Sequence, residues 1–382
     1  MKVLIAHNAY QQRGGEDSVV DAEMQLLVEN GHTVKFYGRN NIDADGISRV
    51  ALAGQTFWSS RTSDDVACLI ADFKPDVIHV HNTFPLISPS FYWAAAKAKI
   101  PVVQTLHNFR LFCPQAVFLR EGKVCEDCLG KVPWRGVVHG CYRDSKAQSA
   151  VLAGMVTAHR AIGTWRNKVT RYIALNEFCR QKFIQGGLPA ERILVKPNFV
   201  DFAAQPEVSR NGFLFVGRLS VEKGIETLAL AMKQVSHIEL RVAGTGPESP
   251  LVDGIAGLQM LGALSADEVR AQMNQSTALV LPSIWYENFP RVLVEALACS
   301  LPVIASRIGA LAELIEDGVT GLLFEPGNAT DLAAKINWAQ QNPHKMREMG
   351  RNARNVYEAK YTANQNYHQL MAIYGEAINA SK

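Results

Sequence analysis

Three observations predict an α/β protein of two domains, each built on a parallel sheet. Short β-rich runs alternate with helix-length segments along the whole chain. The alternation stops once, at a proline-bearing stretch near residue 200, and then starts again. The 382 residues exceed one ordinary core and suit two. With 48% hydrophobic and 20% charged residues, the chain has the composition of folded globular protein.

Val3–Ala6 reads as the first strand and Arg13-Gly14-Gly15 as a glycine-rich turn. Over residues 16–30, Val20, Met24, Leu27 and Val28 recur at helical spacing, and Gly31 closes that helix. Strands are expected at Thr33–Tyr37, Val77–Val80, Val102–Thr105, Tyr172–Leu175 and Ile193–Val195. Two prolines and weak periodicity over 197–206 mark the linker. The second series runs through Phe213–Val216, Leu240–Ala243, Ala278–Leu281, Pro302–Ala305 and Leu322–Phe324, and the last forty or so residues read as helix. Strands separated by helices imply parallel pairing with right-handed crossovers. The expected domains are 1–200, with a cysteine-bearing insert over 109–145, then 209–358. A terminal helical segment, 359–382, is expected to return to the first domain.

Charge and hydropathy exclude some functions. No apolar run approaches the ~20 residues that span a bilayer, and the first residues are too short a run for a secretory signal. A cytoplasmic protein is expected. Residues 1–205 hold 24 Lys/Arg against 18 Asp/Glu, so the net charge of +3 hides a basic first half. That balance suits either an anionic partner, such as a membrane leaflet or lipid diphosphate, or an ordinary solvated surface. Residues 149–171 mix Leu152, Met155 and Val156 with Arg160, Arg166 and Arg171. Such a segment can rest on a membrane interface or pack on its own sheet. No basic run with interleaved aromatics and no recognition-helix pattern points to nucleic acid.

The second half carries the most specific motifs. Residues 213–224, ending Gly217-Arg218-Leu219-Ser220-Val221-Glu222-Lys223-Gly224, place a glycine turn between a strand and a helix. Such a turn lets backbone amides approach phosphate, and Arg218 and Lys223 add positive charge. Residues 287–295, from Glu287-Asn288-Phe289-Pro290 to Glu295, hold two carboxylates with seven residues between them. Helix is expected to begin near Phe289-Pro290. Together these segments resemble the family-four retaining glycosyltransferases of GT-B fold, in which two Rossmann-like domains face each other across a cleft. The resemblance extends loosely over the first half. It implies that Arg218 and Lys223 receive the donor diphosphate and that Glu295 binds the ribose. Glu287 and the amides around Asn288, Phe289 and Pro290 then meet the donor sugar. Asn288 and Pro290 depart from the glycines common in the motif, which leaves the sugar open. Ala243-Gly244-Thr245-Gly246-Pro247 resembles the family's turn near the nucleotide.

In the first half, Gly14 and Gly15 stand where the family places a loop facing the donor phosphates. His107 follows the strand Val102–Thr105, and carboxyl ends of strands in open α/β sheets are where ligands sit. The resemblance gives it, with Glu287, a role at the donor sugar. His79 and His81 lie by another strand end and read as packing or acceptor-side groups. Cys113, Cys125, Cys128 and Cys141 are separated by eleven, two and twelve residues. In a reducing compartment this pattern reads as a tetrahedral thiolate site, and a similar insert occurs in a subset of the family. Structural zinc is expected. An iron–sulfur cluster, a redox pair or free thiols are the alternatives.

The resemblance implies transfer of a hexosyl-type group from a UDP- or GDP-type sugar to a hydroxyl, with retention and without an obligatory divalent ion. Acceptors would be saccharides or lipid-linked, in bacterial surface-polysaccharide or lipid-linked oligosaccharide assembly, with the enzyme peripheral on the inner membrane face. A nucleotide-sugar epimerase of the same fold and a silent nucleotide-sugar-binding scaffold are the alternatives.

Overall fold

The computed structural model describes residues 1–11, 14–202 and 209–381. Arg13 and residues 203–206 of the expected linker lie outside the described residues. The chain divides into two compact units. The first comprises Met1–Val117, Glu126–Pro197 and Asn366–Lys382, and the second comprises Phe118–Cys125 and Asn198–Gln365. The insert's short hairpin is thus counted with the second unit, and the final segment, from Asn366, with the first.

In chain order the strands up to the linker are β1 (Lys2–Ala9), β2 (Thr33–Asn40), β3 (Val77–Asn82), β4 (Val102–Thr105), the hairpin pair β5 (Leu119–Arg120) and β6 (Lys123–Val124), β7 (Arg171–Ala174) and β8 (Ile193–Val195). Six of them form the first unit's parallel sheet, in the order β2-β1-β3-β4-β7-β8. The central strands are apolar on both faces because helices cover both: Val3, Leu4, Ile5 and Ala6 are all fully buried.

Helix α1 (Gly15–Glu29) starts where the Asp17 carboxylate accepts a 2.7 Å hydrogen bond from the Gly14 amide. Its Val20 and Leu27 enter a core with Val3, Ile5, Val77, Val103 and Ile173. Helix α2 (Lys146–Ala161) is capped by the Ser145 hydroxyl, which accepts from the Gln148 amide. Leu152, Met155 and Val156 on this helix are buried in the protein, so the apolar face of the 149–171 segment packs on its own unit. Residues 164–167 form a separate short helix and Arg171 already belongs to β7.

The second unit repeats the plan with β9 (Phe213–Val216), β10 (Leu240–Ala243), β11 (Leu258–Gly262), β12 (Ala278–Leu281), β13 (Val303–Ser306) and β14 (Gly321–Phe324). Its order is β11-β10-β9-β12-β13-β14, again all parallel. Helix α3 (Ile225–Gln234) follows Gly224, which has φ +70°. A Cβ there would stand 1.8 Å from the Pro282 carbonyl oxygen, so only glycine lets the turn after β9 seat against the end of β12. Helix α4 (Arg291–Ala298) starts after the expected Phe289-Pro290. Pro290 is extended, with ψ 116°, and stands just outside the helix as its flanking residue. The terminal helix α5 (Ala363–Asn379) places Leu370, Ile373, Tyr374 and Ala377 in the first unit's core.

Candidate active site

Both sheets reverse their strand order beside the first strand of the unit, between β1 and β3 in the first and between β9 and β12 in the second. Loops part at such a point, at the carboxyl ends of the strands, and leave a crevice for ligands. The motif residues lie at these ends.

In the second unit, the loop after β9 carries Lys223 and the loop after β12 carries Glu287. The two side chains meet at 2.6 Å, Lys223 Nζ to Glu287 Oε1. The Ser283 hydroxyl donates to the same carboxylate oxygen at 2.8 Å. The loops are also joined through backbone, the Ile284 amide donating to the Glu222 carbonyl at 3.0 Å. Glu287 is buried, while the Lys223 side chain is about a quarter exposed. The ammonium lies 5.4 Å from the centre of the Trp285 ring, whose indole N–H is buried without a hydrogen-bond partner. Two segments 64 residues apart in sequence therefore build one charged cluster.

The other expected residues of this unit are in different states. Arg218 is exposed and makes no ion pair among the described residues. Glu295, on α4, accepts from Arg291 Nε at 2.9 Å. Burial raises its carboxyl above the usual range, and Arg291 opposes that shift. Asn288 and Phe289 are buried, the Phe289 ring lying edge-on to Tyr361 at 5.8 Å, so Phe289 packs into its own unit. Gly244, in the turn after β10, approaches the turn after β9 so closely that a Cβ would fall 1.9 Å from the Gly217 oxygen.

In the first unit, Gly14 and Gly15 begin α1, and a Cβ at Gly15 would meet nothing within 4 Å. Beside them Asp17 Oδ1 lies 2.9 Å from His7 Nε2. Tyr10 donates its hydroxyl to Glu16 Oε2 at 2.8 Å. Burial pushes the Glu16 carboxyl up to about 8, against opposing hydrogen bonds from Tyr10 and Asn108. His107 lines a pocket with His81, Asn82, Thr105 and Arg110 at the ends of β3 and β4. Its Nε2 is 2.9 Å from His81 Nδ1. Desolvation pushes the His107 imidazole down to about 3, so it is neutral at physiological pH.

Behind His81 lies a network that the sequence reading did not single out. Glu23 is fully buried and pairs at 2.6 Å with Lys196, also fully buried. Lys196 donates as well to Asn366 Oδ1 at 3.2 Å. Burial would raise the Glu23 carboxyl, but the Lys196 ammonium holds it below its ordinary value, so it is ionised. Glu23 was visible in principle, as an acid set among the apolar positions Val20, Met24 and Leu27 of α1. Glu23, His79 and His81 bring ligand atoms within 4.8 Å of one another. Both His79 nitrogens are already engaged at 2.8 Å, by the Tyr374 and Thr105 hydroxyls. Lys196 holds the carboxylate from the other side, so this is an ion-pair network and a poor cation site.

The four insert cysteines are free of disulfides, with Cys113 and Cys128 buried and Cys125 and Cys141 half-buried. Cys125 and Cys128 flank a tight turn, the Leu129 amide donating to the Glu126 carbonyl at 3.0 Å. No helix among the described residues is long and apolar enough to cross a membrane.

Two all-parallel six-stranded sheets in one chain, each with its strand order reversing beside its first strand, and a lysine–glutamate pair at the carboxyl end of the second, fit the GT-B glycosyltransferase class. Comparison with known proteins gives the family. The chain belongs to Glycosyltransferase Family 4, whose model matches residues 13–204, and the model for glycosyl transferases group 1 matches residues 200–356. Glycogen synthase of Mycobacterium tuberculosis is 31% identical over 299 residues, 74% of this chain and 64% of that protein. The chain spans less than two thirds of the length of the curated relatives it matches, from 41% to 65% across four of them. Sucrose-phosphate synthase of Thermosynechococcus elongatus superposes with a TM-score of 0.73 at 19% identity, over 99% of both chains. HepE of Anabaena, in complex with UDP-glucose, superposes with a TM-score of 0.68 at 18% identity, over 97% of this chain and 98% of that one. At these identities the likeness is one of fold.

Proposed function

We propose that the protein transfers a hexosyl-type group from a UDP- or GDP-type nucleotide sugar to a hydroxyl acceptor, with retention of configuration. The observation that carries this reading is the Lys223–Glu287 pair, which sets a cation for a leaving diphosphate beside a carboxylate for sugar hydroxyls. The fold likeness to a protein solved with UDP-glucose supports the donor class. As the glycosidic bond breaks, charge grows on the diphosphate, and Lys223 and Arg218 stabilise it there. Glu295 accepts hydrogen bonds from the vicinal ribose hydroxyls, since a carboxylate has two acceptor oxygens. Glu287, His107 and the backbone over Asn288–Pro290 orient the sugar, and the Gly14-Gly15 turn faces the phosphates. Placement of this kind supplies much of the acceleration. No step uses a divalent ion.

Saccharide or lipid-linked acceptors, and a place at the cytoplasmic membrane surface in polysaccharide assembly, are the biological setting we propose. The basic first half supports it. We further propose that Cys113, Cys125, Cys128 and Cys141 hold a structural zinc. Four disulfide-free thiols around a Cys-x-x-Cys turn are a donor set of the right chemistry. A metal held there would stabilise an insert that has little core of its own.

The test is a thermal-shift series with UDP, GDP, ADP and their common sugars on wild type and Glu295→Ala. One nucleotide raising the melting temperature of wild type, and not of the variant, supports donor binding through Glu295. No response from folded wild type to any nucleotide sinks the reading.

A further inference from the structure

We infer that Glu23, acting through His81, locks His107 in one tautomer, with hydrogen on Nε2 and a bare Nδ1, so that His107 offers the donor sugar a hydrogen-bond acceptor and no donor. This rests on the reading that His107 meets the donor sugar, and makes the site selective for a neutral, hydroxylated sugar over an anionic one.

The argument is a count of protons along a buried chain. His81 and His107 are neutral, burial driving both below their ordinary range, so each ring carries one N–H. One hydrogen bond joins them, between His81 Nδ1 and His107 Nε2 at 2.9 Å. Only one of those nitrogens can carry the hydrogen, which leaves two arrangements. In the first, His81 donates from Nδ1. Its Nε2 is then a lone pair, and it lies 3.6 Å from Glu23 Oε2, a carboxylate oxygen that also has only lone pairs. Two buried acceptors, neither with a hydrogen-bond partner among the described residues, would face each other. In the second, His107 donates from Nε2 to His81 Nδ1, and His81 turns an Nε2–H toward the Glu23 carboxylate. The electrostatics favour the second, because an N–H dipole beside a fully buried anion replaces a repulsion with an attraction.

The charge that decides the outcome is itself fixed. Lys196 grips Glu23 Oε1 at 2.6 Å, which keeps the carboxylate ionised and its Oε2 toward the histidines. His79 Nδ1 also stands 3.6 Å from Glu23 Oε2, but the Tyr374 and Thr105 hydroxyls engage both His79 nitrogens at 2.8 Å, so His79 is already committed. Glu23 and the buried His81 are therefore positioning residues, and His107, the more exposed of the two histidines lining the pocket, is the one the proposed function brings to the sugar. A bare imidazole nitrogen accepts from a hydroxyl but has nothing to give a carboxylate or phosphate oxygen.

The decisive measurement is long-range proton–nitrogen NMR on full-length protein labelled with 15N-histidine, with the His107 signals assigned by their loss in His107→Gln. Wild type is expected to show His107 with a protonated Nε2 and an unprotonated Nδ1. Protonation at Nδ1 overturns the proposal without any variant. Glu23→Gln keeps an oxygen for Lys196 and turns an amide N–H toward His81 Nε2. It should therefore reverse both rings and move the His107 hydrogen to Nδ1. A folded variant with the wild-type pattern also overturns the proposal.

Calorimetry with UDP-glucose and UDP-glucuronate reads the consequence. Wild type should prefer the neutral sugar, and Glu23→Gln should narrow that preference about tenfold with UDP affinity unchanged. An unchanged preference, with the tautomer reversed, refutes the selectivity. If wild type binds neither these sugars nor a GDP-hexose, the donor assignment of the preceding section fails, while the tautomer measurement still decides the lock.

Discussion

Replacing Lys223 by methionine isolates the contact on which the functional reading depends. The pair stands at 2.6 Å, with the glutamate side chain 8% exposed and the lysine 26% exposed. At an effective dielectric constant of about 20, a separation of that size corresponds to a gross attraction of about 6 kcal/mol, and desolvation of the two ions offsets most of it. The net contribution is therefore small, but the cost of breaking the pair from one side is not. Lys223→Met leaves the Glu287 carboxylate buried with the Ser283 hydroxyl. After discounting for the partly exposed lysine, we expect a loss of about 2–3 kcal/mol. In a domain of about 150–250 residues each kilocalorie lowers Tm by about 2–4 °C, so the second unit should melt about 4–12 °C lower. Glu287→Gln removes the charge, keeps the shape and should cost about 1–2 kcal/mol. The double variant restores charge balance and should be less destabilised than the two losses together, by about 1–2 kcal/mol. Urea unfolding and scanning calorimetry on the four proteins complete the cycle. Losses that add within about 0.5 kcal/mol would show that the pair is not formed in solution, and the argument from it would collapse.

Other outcomes follow from other parts of the structure. Gly224→Ala should destabilise the second unit by about 2 kcal/mol or more, through a positive φ and a Cβ driven into the Pro282 carbonyl; a variant as stable as wild type in urea would mean the two loops do not meet as described. Glu16, held up to about 8, keeps in the folded protein a proton that the unfolded chain releases near its ordinary value of 4.5. Its contribution to stability is therefore complete below about pH 4.5 and declines as pH rises toward about 8, and Glu16→Gln should remove that decline from the stability–pH curve. Identical slopes for the two proteins would place the Glu16 carboxyl in water. Lys196→Met should cost about 3–5 kcal/mol in urea unfolding, because it strands the buried Glu23 charge; a loss below 1 kcal/mol would mean that Glu23 is protonated. Elemental analysis of the purified chain should find about one zinc per molecule, lowered in Cys128→Ser, and a metal-free chain would end the zinc proposal.

The parallel sheets were legible because strands buried on both faces read as continuous apolar runs. Phe213–Val216 and Ala278–Leu281 are such runs, and most expected strands stand within a residue or two of those observed. β11 was not legible. It is an edge strand, half-exposed, and its Gln259 breaks the apolar pattern. At the site, motif spacing marked Lys223 and Glu287, but their direct contact depends on two loops meeting, which local sequence does not encode. The Glu23–Lys196 pair was hidden for the same reason. Its partners come from α1 and from the residue after β8, 173 positions apart, and each looks like a surface charge when taken alone. His81 was visible at a strand end, yet its value lies in what stands behind it.

The return of α5 to the first unit has a consequence for synthesis. Leu370, Ile373, Tyr374 and Ala377 complete a core whose other buried members have all been translated by Ile173, and Tyr374 supplies a hydroxyl that engages His79. At elongation rates of about 5–20 residues per second, the emerging first unit waits about 10–40 seconds for its last helix. Throughout that interval an apolar seam over β1, β3 and β4 lies open. The ribosome thus delivers a half-closed nucleus early and its lid last, so a chain that stalls late, or is clipped before Asn366, would be a substrate for chaperones and proteases although most of its sequence is intact.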